Sequence, residues 1–156
     1  MSTKDFKSLN GVPILELFRI EVDTQSATLT QGLLAWKNDP NGMQHLEQLM
    51  RASHSLKGAA RIMGRSSALR IAQAMENYFV TAQDNAIPPR KGTIVSLLRG
   101  VDVLACISRV PDDSIAKWEE EHQAEIETFL ASLSQDDKSK QGLDSHSSRI
   151  SPPEVQ

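Results

Sequence analysis

The sequence is poor in several residues on which other folds and functions depend. It has one cysteine in 156 residues, and aromatic residues make up only 4%. A lone thiol, Cys106, excludes an internal disulfide and suits a reducing compartment; set in an apolar run, it is expected to be a small buried hydrophobe. With so few rings, the core has to be assembled from Leu, Ile, Ala and Met, which favours packed helices over a β-sandwich. An excess of positive charge is missing too. The formal net charge of -3 gives no basic field for gripping a phosphate backbone, so nucleic acid is not an expected partner. No stretch approaches the roughly 20 apolar residues of a membrane-spanning helix, so membrane insertion is not expected. Met1-Ser2-Thr3-Lys4-Asp5-Phe6-Lys7 leads into mixed polar sequence without the apolar segment of an export signal, and a cytoplasmic protein is expected. A glycine-rich nucleotide lid, a G-x-x-x-x-G-K-[ST] loop and any mixed sheet pattern are also missing, so the chain is not expected to bind ATP or to phosphorylate itself.

What is present is helical periodicity in a globular background, with hydrophobic residues at 39% and charged residues at 24%. Gly11 to Lys37 carries Ile14, Phe18, Val22, Leu29, Leu33 and Trp36 at helical spacing and ends at the breakers Asn38-Asp39-Pro40-Asn41-Gly42. From Met43 to Met63, Leu46, Leu49, Ala52, Leu56, Ala60 and Met63 recur in steps of three and four, the seam of a bundle helix that stops near Gly64. Ser66 or Ser67 is expected to cap a third helix running to about Ala82 through Leu69, Ala72, Met75 and Phe79. A fourth runs from about Thr93 to Arg109. Pro111-Asp112-Asp113-Ser114 reads as a stop and a capped start, and Ile115, Trp118, His122, Ile126, Phe129 and Leu133 predict one further continuous, charged and peripheral helix. Trp36 and Trp118 are expected to be packing aromatics. The expected architecture is all-α: an antiparallel up-down four-helix bundle with an additional C-terminal helix over residues 11–134, an N-terminal extension over 1–10 and a flexible tail or linker over 135–156.

The chemistry concentrates in the second helix. At about 100° per residue, His54 points roughly 150° away from the mean direction of the apolar seam, towards solvent, which disfavours a buried structural histidine. Gly58 follows one turn later on the same side, in a helix interior where glycine costs about 1 kcal/mol relative to alanine. Its value there is clearance: without a side chain beside the histidine, another protein can approach closely. Lys57 can bring an ammonium group near whatever the imidazole holds, and Arg51 and Arg61 add positive charge to the same surface. With a tight turn around Arg65, residues whose numbers average 65 lie level in the hairpin, which pairs His54 with Glu76. A carboxylate there can accept a hydrogen bond from Nδ1–H and leave Nε2 outward as the nucleophile. Register alone leaves open whether Met75 or Glu76 faces the second helix.

The run His54-Ser55-Leu56-Lys57-Gly58-Ala59-Ala60-Arg61-Ile62-Met63-Gly64, followed by Met75-Glu76-Asn77, resembles the histidine-containing phosphotransfer (HPt) family, especially the N-terminal phosphotransfer domain of CheA-type chemotaxis kinases. The similarity extends in pattern from about Leu15 to Val110. It implies a phosphorelay of two-component signalling in which His54 is the phosphoacceptor, Lys57 the phosphate neighbour, Glu76 the imidazole partner and Gly58 the docking clearance. The implied partners are a CheA-type kinase catalytic domain and a response-regulator receiver domain, which bring ATP and Mg2+ themselves, so the chain needs no cofactor and is a covalent carrier rather than an enzyme. Many CheA-type members have a second histidine where this chain has Gln73; Gln73 and Arg61 are placed in the surrounding shell. The receiver is expected on the exposed face of helices two and three, with Met50 as an apolar contact. Two other readings compete. A metal-binding bundle would need His45, His54, His122, His146 and carboxylates to converge, but Glu119 and His122 form the one Glu-x-x-His pair. A bundle that only scaffolds would tolerate His54→Gln, which disables a carrier. The chain can also be one piece of a larger kinase.

Overall fold

The structure, a computed structural model, describes residues 8, 9 and 12–134. The expected tail over 135–156, with His146, lies outside the described residues, as does most of the extension over 1–10. A minimal antiparallel pair, β1 (Ser8–Leu9) with β2 (Val12–Pro13), precedes the helices in the register Ser8 opposite Pro13 and Leu9 opposite Val12. The first helix therefore begins three residues later than the expected Gly11. Proline restricts the residue before it to extended backbone, so Val12 pairs as a strand and the helix opens directly after Pro13.

Helix α1 (Ile14–Asn38) buries Phe18, Val22, Leu29, Leu33 and Trp36, and it ends where Pro40 forces Asp39 out of helical conformation. Helix α2 (Met43–Met63) buries Leu46, Leu49, Ala52, Leu56 and Ala60. Gly64 terminates it in the left-handed region at φ +70°, with Arg65 N–H donating to the Ala60 carbonyl at 3.0 Å and Gly64 N–H to that of Arg61 at 3.1 Å. This pairing satisfies carbonyls that the helix end would otherwise orphan, and it suits glycine, which alone enters that region without penalty. Helices α3 (Ser66–Asp84) and α4 (Lys91–Ser108) complete the bundle, α4 starting two residues earlier than its pattern suggested. Helix α2 packs along both α1 and α3, and α1 packs along α4, whereas α3 and α4 meet directly over a short stretch only.

Several local expectations are corrected. No serine side chain caps α3; the Glu119 carboxylate reaches in from the C-terminal region and accepts hydrogen bonds from Ser67 N–H at 2.9 Å and Ser66 Oγ at 3.4 Å. A carboxylate at a helix N-terminus meets both the free N–H groups and the helix dipole, which a hydroxyl does less well. Nor does Ser114 cap, because Asp112–Ser114 is a 3-10 turn that runs straight into α5 (Ile115–Glu121). The expected continuous fifth helix breaks at His122. There the ring stacks on Trp118, centroids 4.0 Å apart and 15° from coplanar, with its Nδ1–H donating to the Trp118 carbonyl at 2.8 Å. Helix α6 then occupies 123–134. Its Ile126, Phe129 and Leu133 are buried in the core, so this last helix is integral rather than peripheral. Cys106 is exposed, not buried: Val103, Leu104 and Ile107 take the inward positions of α4 and leave residue 106 on the outer side.

Arg65, in the two-residue link between α2 and α3, has its side chain only 1% exposed. Its guanidinium donates to the Ile107 carbonyl at 2.9 Å and to Asp112 Oδ1 at 2.7 Å, tying this turn to the end of α4. Pairing of this kind is what makes a buried guanidinium tolerable. Among the described residues no helix is long and apolar enough to cross a membrane.

Candidate functional site

Because Leu49, Leu56 and Ala60 turn inward, His54 is carried on the outer side of α2, its side chain 69% exposed. On α3, Ala72, Met75 and Phe79 face the core. Met75 is fully buried, which settles the open question of register: Glu76, one step round the helix, is the residue that faces α2. His54 Nδ1 lies 2.9 Å from Glu76 Oε2, and Lys57 Nζ lies 2.7 Å from Glu76 Oε1. One carboxylate thus holds two side chains of α2 through its two oxygens.

This arrangement fixes the chemistry of the imidazole. With Nδ1–H donating to Glu76, the lone pair of the neutral ring resides on Nε2, which points away from the carboxylate into solvent. Partial burial pushes the Glu76 carboxyl up, but hydrogen bonds and positive charge from Lys57 and His54 outweigh it and hold the group below its ordinary pKa. It is therefore a carboxylate at neutral pH, able to accept from Nδ1 and to offset positive charge that develops on the ring. Lys57, paired with Glu76 one turn from His54, keeps an ammonium group at the edge of the site for an anionic group arriving at Nε2.

The other residues singled out in the sequence divide into two groups. Gly58 lies beside His54, and a Cβ added there would meet nothing within 4 Å, so no packing inside the molecule requires glycine. Arg51 and Arg61 are exposed on the same side of α2. Gln73 is exposed on α3, and the bond to His54 Nδ1 is made by Glu76 instead. Met50 is half-buried against the core. Exposed apolar surface lies two turns beyond His54 on the α1 side: Ile62, 79% exposed, borders a groove formed with Ile14, Leu17, Phe18, Ala59 and Met63. Glu21 at its rim accepts hydrogen bonds from Ser55 Oγ and Gln25 Nε2. The sequence reading missed this rim, although the turn at Pro40 places α1 residues in the low twenties level with the end of α2. Among the described residues, no three His, Cys, Asp or Glu side chains converge as a metal-binding group.

The Hpt domain model matches residues 13–110. The chemotaxis protein CheA of Rhizobium meliloti (strain 1021) is 29% identical over 100 residues, which make up 64% of this chain but 13% of that protein. The phosphorylated P1 domain of CheA3, solved in complex with CheY6 from R. sphaeroides, shares the fold with a TM-score of 0.63 at 20% identity, over 78% of this chain and 96% of that one.

Proposed function

Since the chain belongs to the Hpt domain family, whose members carry a phosphoryl group rather than turn over a substrate, we propose that His54 is the residue that carries it here. The single observation behind this assignment is the exposed imidazole whose Nδ1 is held at 2.9 Å by a carboxylate that also pairs with Lys57. In the forward step, the Nε2 lone pair forms an N–P bond as the bond from phosphorus to the donor's leaving oxygen breaks. Nδ1–H stays with Glu76, which offsets the positive charge left on the ring. In the return step, a carboxylate oxygen of the acceptor takes the phosphoryl group and the N–P bond breaks. Lys57 sits beside the phosphoryl oxygens in both directions.

The donor is a CheA-type kinase domain that brings ATP, and the acceptor is the aspartate of a response-regulator receiver that brings Mg2+, both acting in the cytoplasm. Support comes from the relative's being a chemotaxis protein CheA and from the solved neighbour's being in complex with CheY6. The receiver docks over Gly58, with the exposed Ile62 and the groove between α1 and α2 as an apolar contact. That groove borders the most exposed apolar side chain of α2, Ile62 at 79%, whereas Met50 is half-buried against the core. The test is intact mass after incubation with phosphoramidate. Wild type is expected to gain one acid-labile phosphoryl group and His54→Gln none; equal labelling of both proteins removes the assignment.

A further inference from the structure

The family match ends at residue 110, yet the chain goes on to build α6 into the core at the level of the site. Glu76 is useful only if α3 stands at the right distance from α2: a hydrogen bond of 2.9 Å is lost when the partner recedes by about 1 Å. Its immediate neighbour, Met75, is turned about 100° round α3 and is fully buried. There it meets Gly100 of α4 and Phe129 of α6. A Cβ at Gly100 would lie 2.5 Å from Met75 Cε and 2.7 Å from Phe129 Cε1 and Cζ, so glycine is what lets the three helices come this close. Direct contact between α3 and α4 is short, and the buried Phe129 ring sits beside Met75 Cε where the two helices meet at Gly100. The same segment also holds the start of α3, through Glu119 on Ser67 N–H at 2.9 Å.

On the reading that His54 is the phosphoacceptor, we infer that Gly100 and Phe129 are positioning residues for phosphotransfer. They fix Met75, hence the distance of α3 from α2, hence the hydrogen bond that selects the Nδ1–H tautomer of His54. Neither touches the phosphoryl group. A protein interior is close-packed, and although Met75 Cε is the free end of a flexible side chain, the Phe129 ring is rigid, so a misfit at Gly100 is carried by the ring to the packing under α3.

The test compares wild type with Gly100→Ala and with Phe129→Leu, which is milder and keeps the protein foldable if the first does not fold. Leu33→Ala, a core truncation in α1, controls for lost stability alone. Two quantities are read on folded protein: the His54 tautomer by 15N NMR, and the rate of phosphoramidate labelling per folded molecule. Both positioning variants are expected to shift His54 towards the Nε2–H tautomer and to label about tenfold more slowly, the size of losing one charge-assisted hydrogen bond. Leu33→Ala is expected to lower Tm and leave both readouts in place. A wild-type tautomer and rate in folded Gly100→Ala or Phe129→Leu would overturn the inference. Absence of label on wild type would instead sink the phosphoacceptor assignment, while the tautomer comparison still reads the positioning, so the two fail separately.

Discussion

At Glu76 one carboxylate serves two partners, and its two contacts make separable predictions. Glu76→Gln keeps an oxygen for Nδ1–H but removes the charge that Lys57 and a charged ring require. Phosphoramidate labelling of that variant is expected to fall by about tenfold, the scale of one charge-assisted hydrogen bond, measured as initial rate by mass spectrometry. The pH dependence of stability follows from the same group. Its pKa is depressed on folding, so its contribution is fully present above the ordinary value of 4.5 and is lost as pH falls through the depressed one. Denaturant melts below pH 4.5 are expected to show a shallower acid loss in Glu76→Gln than in wild type. His54 and Glu76 were legible in the sequence because each depends on short-range rules: helical period turned His54 outward, and a hairpin count placed Glu76 level with it. The choice between Met75 and Glu76 was not legible, because it depends on which side of α3 the α4 and α6 residues occupy, and that is set by tertiary packing.

Helix α2 separates stability from function at Gly58. Since a Cβ there meets no neighbour, Gly58→Ala is expected to stabilise the fold by up to about 1 kcal/mol through helix propensity. The same methyl group would stand on the docking face, so transfer to a receiver is expected to slow while labelling by the small donor phosphoramidate stays at the wild-type rate. Thermal melts and the two kinetic assays together check this, and slowed transfer without added stability would point to a folding role instead. The α2–α3 link makes the converse case. Arg65→Met leaves the Ile107 carbonyl without its buried donor and is expected to cost about 2 kcal/mol in denaturant unfolding, with the His54 tautomer retained. Gly64 was legible as a stop because left-handed caps favour glycine. The burial of Arg65 was not, since a cation in a short link reads as surface until the end of α4 and Asp112 come to meet it.

For the molecule as a whole, the part that matches the family and the part that folds are not the same length. The match stops at residue 110, but Ile126, Phe129 and Leu133 are buried beyond it. At about 2 kcal/mol for each buried apolar side chain, removing residues 111–134 is expected to cost about 6 kcal/mol, a large share of what a domain of this size possesses. A chain ended at 110 is expected to unfold with little cooperativity in a calorimeter, and an unchanged transition would contradict the structural part given to α6. The sequence showed the apolar period of this region but not its place. The stack of His122 on Trp118 at the helix break, and the packing of Phe129 beside Met75 at Gly100, are contacts that the apolar period alone does not specify. The central claim remains the identity of one nitrogen atom. It is tested most directly by NMR of 15N-histidine-labelled protein treated with phosphoramidate, assigned by His54→Gln. A phosphoryl group on Nε2 of His54 is the expected result. His45 Nε2 lies 3.2 Å from Asp39 Oδ2, so labelling at that residue would fall on Nδ1; an adduct there, or on Nδ1 of His54, contradicts the account.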